Sequence, residues 1–317
     1  MIVGVDIGGT KTHVAVQRPD GTRREQLVRT STWRQRRNLS NDVAGLHELL
    51  HAISNGEPEV SVVGSHGCDT DADCLALQEA LSTRLSGIVL VLNDSELLLP
   101  AAGKKEGIAV IAGTGSIAVS RGPDRKMRSA GGWGWFLGDE GSASGLVREA
   151  ARAVRRSLDQ GNQLDQLGRL LVEALGVVNP VEFGRALIDL GSAARIGKLA
   201  HLVFDAADAG SQTAADVIYN GGDSLAILVE ELINRGALGN HVITAGGVIS
   251  RQSRLFLAFK DALRLRVPDA NLALLKSAPV TGALLLAELL ASGERPIMLP
   301  LPHVGGHQET NTNGRAA

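Results

Sequence analysis

The segment Asp6-Ile7-Gly8-Gly9-Thr10-Lys11-Thr12 sets a carboxylate at the end of an apolar run, with two glycines close behind it. Paired glycines let a backbone turn sharply and approach a ligand closely. Exposed amide N–H groups in such a turn, joined by the Thr10 hydroxyl, suit phosphate oxygens. Asp6 could hold Mg²⁺ through water, because that ion keeps part of its hydration shell. The spacing fits neither a Walker A loop nor the dinucleotide G-x-G-x-x-G, and a plain hairpin turn is the competing reading. Gly113-Thr114-Gly115-Ser116 is a second turn of this kind. In Ala245-Gly246-Gly247-Val248 the glycines would let an adenine or ribose lie against the backbone. An ordinary strand-to-helix turn is the alternative there.

The acids come next. Asp94 follows the apolar run 88–92, at the carboxyl end of a buried strand, where open α/β sheets place ligands. A carboxylate there can take the proton of an attacking hydroxyl during phosphoryl transfer. The same residue also suits a helix N-cap, with Ser95 and Glu96 in the first turn, and position alone leaves both roles open. The segment 131–142, GGWGWFLGDEGS, is the densest signal in the chain. Aromatic residues make up only 3% of the sequence, yet three of them fall within Trp133-Gly134-Trp135-Phe136. An aromatic face beside Asp139 and Glu140 matches what a sugar needs, stacking for its C–H faces and carboxylates for its hydroxyls. A packed structural corner is the other reading.

These residues need a scaffold, and the hydrophobic pattern supplies one. Strands are expected at 2–7, 13–17 and about 24–29, with a Pro-Asp-Gly turn at 19–21. A helix through Leu46, Leu49, Leu50 and Ile53 follows, then a strand at 60–63, a helix at 72–84, a strand at 88–92 and a helix near 95–102. The opening pattern then recurs: a strand at 107–112, a glycine-threonine turn, a strand at 116–120, a Pro-Asp turn and a strand near 126–130. Two copies of one unit, about a hundred residues apart, imply two similar lobes. Helices are expected at 142–157, 163–175, 181–190, 193–208 and 212–235. A strand at 241–245, a helix at 251–264, a strand near 272–275 and a last helix at 280–291 end the pattern. The fold class is therefore α/β. The expected division is a lobe over 1–104, a second over 105–302 whose last helix packs back on the first, and a polar flexible tail over 303–317.

Bulk properties narrow the function. A chain of 317 residues with 44% hydrophobic content can bury two cores. A net charge of −2 provides no basic field for nucleic acid or an anionic membrane. No leader or bilayer-spanning run is evident, so a cytoplasmic protein is expected. Cys68 and Cys74 are too few for a disulfide framework and lack a zinc spacing.

In order along the chain, DIGGTKT, LNDS, IAGTGS, GGWGWFLGDEGS, ITAGGV and PVTGALLLA resemble the BadF/BadG/BcrA/BcrD ATPase group of the actin–hexokinase superfamily, and within it the N-acetylglucosamine kinases. The resemblance runs from about residue 2 to 291. It implies two actin-like (ribonuclease H-like) lobes with ATP and sugar in a central cleft, and transfer of the γ-phosphoryl group to the sugar 6-hydroxyl. Asp94 matches the catalytic aspartate and Asp6 the phosphate and metal carboxylate. Gly8, Gly9, Thr10, Lys11, Gly113, Thr114, Gly115, Gly246 and Gly247 fall in the ATP-binding turns. Trp33, Asn93, Ser116, Gly132, Trp133, Asp139 and Glu140 are the candidate sugar contacts. ATP and Mg²⁺ are the implied cofactors, a small sugar the partner, and a homodimer the family's frequent state.

Departures from the family bear on the sugar. The family's asparagine-containing loop after the first meander reads Thr30 to Asn38 here, without a clean match. Arg23, Arg24, Arg29, Arg34, Arg36 and Arg37 crowd this region. A solvated edge explains them, or else a substrate carrying an acid or phosphate. His66 replaces a small apolar residue and is expected to be a packing or hydrogen-bonding group. N-acetylglucosamine leads the substrates, ahead of glucosamine, glucose and an acidic amino sugar. Two other activities stand against a kinase. An electron-transfer ATPase activator needs cluster-binding cysteines near the second phosphate turn, where Cys68 and Cys74 are not. A sugar-sensing regulator without catalysis would not need Asp94.

Overall fold

The computed structural model describes residues 1–35, 38–295 and 298–306. The chain opens with β1 (Ile2–Ile7), β2 (Lys11–Gln17), β3 (Arg23–Arg29), α1 (Leu39–Ser54), β4 (Val60–Ser65), α2 (Asp71–Ser82) and β5 (Gly87–Leu92). A 3₁₀ turn (Asp94–Leu97) and α3 (Leu98–Ala101) follow. The pattern restarts with β6 (Ile108–Ala112), β7 (Ser116–Arg121) and β8 (Met127–Gly131). Next come α4 (Gly134–Leu137), α5 (Ala143–Asp159), α6 (Gln166–Leu175), α7 (Phe183–Asp189), α8 (Ala193–Gly197), α9 (Ala200–Asp208) and α10 (Gln212–Asn234). The chain then forms β9 (His241–Ala245), α11 (Ser253–Arg266), β10 (Asn271–Leu274), α12 (Pro279–Ala291) and β11 (His303–Gly305).

Two compact units result. One comprises Met1–Lys105, Pro123–Lys126 and the chain from Ser277, the other Glu106–Gly122 and Met127–Lys276. The second unit thus ends at 276 rather than 302, and α12 belongs to the first. The first unit's sheet runs β11-β5-β4-β1-β2-β3 and the second's β10-β9-β6-β7-β8. Apart from β11, the two orders are the same. In each, an antiparallel meander (β1–β2–β3, β6–β7–β8) continues into two parallel strands. The recurrence of strand, glycine turn and strand in the sequence is the repeat of this unit.

Side-chain alternation along a strand decides what each face carries. In β1, Val3, Val5 and Ile7 face α1 and α2 and pack with Leu46, Leu50, Leu77 and Leu81. Ile2 lies on the opposite face, with Val62, Leu90, Leu92, Leu97 and the α12 residues Val280, Ala283 and Leu284. Asp6 shares that second face. The close approach of α12 needs glycine: a Cβ on Gly4 would lie 2.8 Å from the Leu284 nitrogen. The second unit's core joins its sheet to α5, α10 and α11 through Leu146, Leu225, Val229 and Phe259.

Three expectations change. The helix expected over 193–208 is two helices, divided after Gly197, where α8 packs so tightly that a Cβ would sit 3.1 Å from that of Ala143. The aromatic segment contains the short helix α4. The polar stretch from 303 begins not as a tail but as an edge strand antiparallel to β5; residues 307–317 lie outside the described residues. Among the described residues no helix is long and apolar enough to cross a membrane.

Candidate active site

In the first unit, the Gly8–Lys11 turn joins β1 to β2, with the Gly8 N–H donating to the Lys11 carbonyl at 2.9 Å. Thr30, just past β3, buttresses it. Its hydroxyl donates to the Gly8 carbonyl at 2.9 Å and lies 3.0 Å from that of Thr12. Trp33 Nε1 donates to the same Thr12 hydroxyl at 3.1 Å. Gly9, Thr10 and Lys11 remain exposed.

Asp94 follows β5, and the residue before it takes the cap. Asn93 is the N-cap of the 3₁₀ turn: its side chain accepts from the Ser95 N–H at 3.0 Å and the Ser95 hydroxyl, while Glu96 Oε2 accepts from the Asn93 N–H at 3.1 Å. Asn93 Nδ2 donates to the Cys68 carbonyl at 3.0 Å and to Asp69 Oδ1 at 3.2 Å. The capping role thus falls to Asn93, and the Asp94 carboxylate accepts the neighbouring Ser95 N–H at 3.1 Å and its own backbone N–H. Burial, then the Asp6 and Asp69 carboxylates, push Asp94 up to about 8. Burial alone pushes Asp6 up to about 7. An environment that resists charge on two neighbouring carboxylates is common where a proton or a cation is handled.

The Asp6 carboxylate has no hydrogen-bond or ion-pair partner among the described residues. A hard oxygen donor left in this state fits Mg²⁺, which takes one or two carboxylates and completes its shell with water and phosphate. No group of three or more His, Cys, Asp or Glu among the described residues could hold a metal unaided.

In the second unit the Gly113–Ser116 turn joins β6 to β7. The N-terminus of α5 fastens it: the Ala143 N–H donates to the Gly113 carbonyl at 2.8 Å and the Ser144 hydroxyl to the Thr114 carbonyl at 2.7 Å. The Gly246–Gly247 turn lies against it. A Cβ on Gly246, whose φ is +126°, would fall 2.3 Å from the Ala112 carbonyl oxygen, so only glycine permits this contact. Two of the three glycine turns legible in the sequence are therefore neighbours.

Asp139 sits in the left-handed region at φ +61°. Its Oδ1 accepts from the Ser116 N–H at 3.2 Å, and a Cβ on Gly115 would lie 2.8 Å from Oδ2. The acid therefore abuts the phosphate-type turn, and burial raises its affinity for a proton. The Ser116 hydroxyl donates to the Glu140 carbonyl at 2.7 Å. Gly132, at φ +77°, starts the aromatic segment, where Trp133 is 74% exposed.

Several expected sugar contacts also bond within the protein. Asn93 is buried, and its amide hydrogen bonds to the Cys68 carbonyl, Asp69 and Ser95 hold the Asp94 turn. Ser116 is buried with its hydroxyl proton spent on Glu140. Trp33 is half-buried and lines a pocket of about 440 Å³ with Arg34, His66, Leu46 and Leu77. The Arg34 charge is met by Asp42 at 3.3 Å, and it donates to the His66 carbonyl at 2.8 Å. Arg36 and Arg37 lie outside the described residues. Cys68 and Cys74 are buried reduced thiols, Cys74 Sγ donating to the Cys68 carbonyl at 3.6 Å. Sequence reasoning named Thr30 only as the start of the Thr30–Asn38 segment and did not single out Arg148; they act from a 3₁₀ turn and a helix without a motif.

Two units with the same strand order, each bearing a glycine turn at the end of its first strand, define an actin-like α/β protein. The model of the BadF/BadG/BcrA/BcrD ATPase family matches residues 3–287, and the chain belongs to that family. It is 26% identical to the N-acetylmuramic acid/N-acetylglucosamine kinase of Clostridium acetobutylicum, over 90% of this chain and 97% of that one. It is 25% identical to the N-acetyl-D-glucosamine kinase of Dictyostelium discoideum, with the same coverage. Among solved structures, a candidate N-acetylglucosamine kinase from Chromobacterium violaceum superposes with a TM-score of 0.64 at 25% identity, covering 90% of this chain and 98% of that one. A ROK family glucokinase from Streptomyces griseus shares the fold, with a TM-score of 0.57 at 19% identity, covering 91% and 98%.

Proposed function

We propose that this protein is an ATP-dependent sugar kinase that phosphorylates the 6-hydroxyl of an amino sugar, N-acetylglucosamine first among the candidates. The observation that carries the reading is Asp94, a carboxylate at the end of β5 released from helix capping by Asn93 and held with a raised proton affinity. Both curated relatives phosphorylate amino sugars by name, which supports this substrate class.

In the proposed reaction Asp94 accepts the 6-hydroxyl proton as the sugar oxygen bonds to the γ-phosphorus and the bond to the ADP oxygen breaks. Within the Gly8–Lys11 and Gly113–Gly115 turns, the Gly8 and Gly113 N–H groups pair with the Lys11 and Gly115 carbonyls, and the other N–H groups hold phosphate oxygens. Gly247, with open space where a Cβ would sit, leaves room for the adenosine. Asp6 would hold Mg²⁺, which supplies charge neutralisation on the phosphates when bound. Trp133 offers its exposed face to the sugar, with Glu140 accepting a hydroxyl.

The test is coupled ADP release over N-acetylglucosamine, N-acetylmuramic acid, glucosamine and glucose, for wild type and Asp94→Asn. The expected result is fastest turnover with an N-acetylated sugar and a loss of about 10²–10⁴-fold in kcat for the variant, the usual contribution of a general base. A variant with near-wild-type kcat would remove Asp94 as the base. Sugar-independent ATP hydrolysis across the whole panel would remove the kinase reading.

A further inference from the structure

The segment from Trp133 to Glu140 is held in an unusual way for a ligand-facing loop. Trp133, Phe136 and Leu137 are 74%, 75% and 73% exposed, so apolar burial does little to fix it beyond the half-buried Trp135. What holds it is polar. At its C-terminal end the Asp139 carboxylate takes the Ser116 N–H, and the Asp139 carbonyl takes the Ser142 N–H at 3.1 Å. At its centre stands Arg148, one and a half turns into α5, with a side chain only 12% exposed. Its Nη1 donates to the Trp135 carbonyl and to the Gly138 carbonyl, the latter at 2.6 Å. Its Nη2 reaches Glu140 Oε1 at 3.3 Å, and its Nε reaches Glu149 Oε1 at 2.8 Å.

We propose that Arg148 is the positioning residue of the sugar loop: its guanidinium fixes the course of residues 133–140 and the direction of the Glu140 carboxylate. The proposal rests on the reading that this loop meets the sugar. The chemistry is specific to arginine. Two backbone carbonyls and two carboxylates surround one planar group with five N–H donors, and an ammonium with three donors cannot face them all. Arg148 contacts Glu140 through Oε1 alone, so Oε2 is left to accept a sugar hydroxyl in an orientation set from behind. Glu149, which also pairs with Arg152 at 3.1 Å, balances the remaining charge and keeps Arg148 from drawing Glu140 fully onto itself. Through Asp139 and Ser116 the same loop is tied to the Gly113–Ser116 turn, so its placement and that of the phosphate-type turn are set together within this unit.

The experiment compares Arg148→Lys and Arg148→Met with Arg152→Gln, a surface control on the same helix, in the full chain. Losing charge-assisted hydrogen bonds should raise KM for N-acetylglucosamine about tenfold or more in both Arg148 variants. KM for ATP should stay within about twofold, because the Asp139 fastening survives, and Arg152→Gln should match wild type. Arg148→Lys should recover much of the melting temperature without recovering the sugar KM. Limited chymotrypsin digestion gives a readout independent of activity: cleavage at Trp133, Phe136 or Leu137 should quicken in Arg148→Met. Equal rises in both KM values, or a lowered melting temperature with an unchanged sugar KM, would overturn the positioning role. Wild type inactive on every sugar would instead remove the parent reading, and the digestion rate would still decide whether Arg148 anchors the loop.

Discussion

A carboxylate that resists ionisation leaves two marks, one on rate and one on stability. Asp94 acts as a base only when ionised, and burial beside Asp6 and Asp69 holds its proton to about pH 8. The expected kcat/KM for sugar therefore climbs with pH, flattening above about 8, and Asp94→Asn removes that limb along with the rate. The stability effect has the opposite slope. Between the ordinary carboxylate value of 3.8 and about 8 the folded chain keeps a proton that the unfolded chain releases. Stability is thus lost as pH rises through this window. Asp94→Asn carries no such cost, so it should melt a few degrees above wild type at pH 8.5, with the gap closing towards pH 4. Thermal melts across this range check it. A variant less stable than wild type at pH 8.5 would show that Asp94 is held by compensating contacts and not desolvated. The same ambiguity explains what could be read at this position beforehand. Asn93 and Asp94 are adjacent residues of equally good capping type, and only backbone geometry assigns the cap to one and frees the other.

The elements around the site differ in how much of their placement is local. β1, β4 and β5 read directly from short apolar runs, and α2 from its leucines at helical spacing, while the Thr70–Asp73 capping box that starts it emerges only in the structure. The strand β11 could not be read this way: His303–Gly305 is three residues long and defined by pairing with β5 far back in the chain. The roles of Asn93 and Ser116 could not be read from sequence for a related reason. A polar residue inside a motif advertises hydrogen-bonding capacity, but whether protein or ligand uses it depends on partners distant in sequence, Cys68 and Asp69 in one case and Glu140 in the other. Asn93 now ties three elements together: the end of β5, the 3₁₀ turn and the loop after β4. Asn93→Ala removes the cap and leaves the buried Ser95 and Cys68 groups unpaired, at a cost of about 2–4 kcal/mol. It should also lower kcat at least tenfold, because Asp94 rides on that turn. KM for sugar should change far less. Denaturant titration and steady-state kinetics check the two halves separately; a raised sugar KM with unchanged kcat would return Asn93 to direct sugar contact.

At the scale of the molecule, the first unit is made from the two ends of the chain. Residues up to Lys105 supply five strands, and only after the second unit's last strand does the chain return with α12 and β11. The return is structural. Val280, Leu284, Leu286 and Leu290 are buried against the β1–β4–β5 face, each worth about 1.5–3 kcal/mol. Together they approach the whole stability of a typical domain, about 5–15 kcal/mol. Contact is also backbone to backbone, since a Cβ on Gly282 would lie 2.2 Å from the Leu97 carbonyl oxygen. Leu97 ends the turn that begins at Asp94, so α12 supports the proposed base from beneath. A chain stopped after Lys276 keeps every residue proposed for catalysis and binding, yet it should lose phosphoryl transfer entirely. Hydrogen exchange should show β1, β4 and β5 unprotected while β6, β7 and β9, whose core lies within Glu106–Lys276, stay protected. Retained protection in β1 would mean that the meander and α1–α2 suffice for that unit. Loss confined to the first unit would mean that the proposed base is assembled last, once the final helix of the chain has docked.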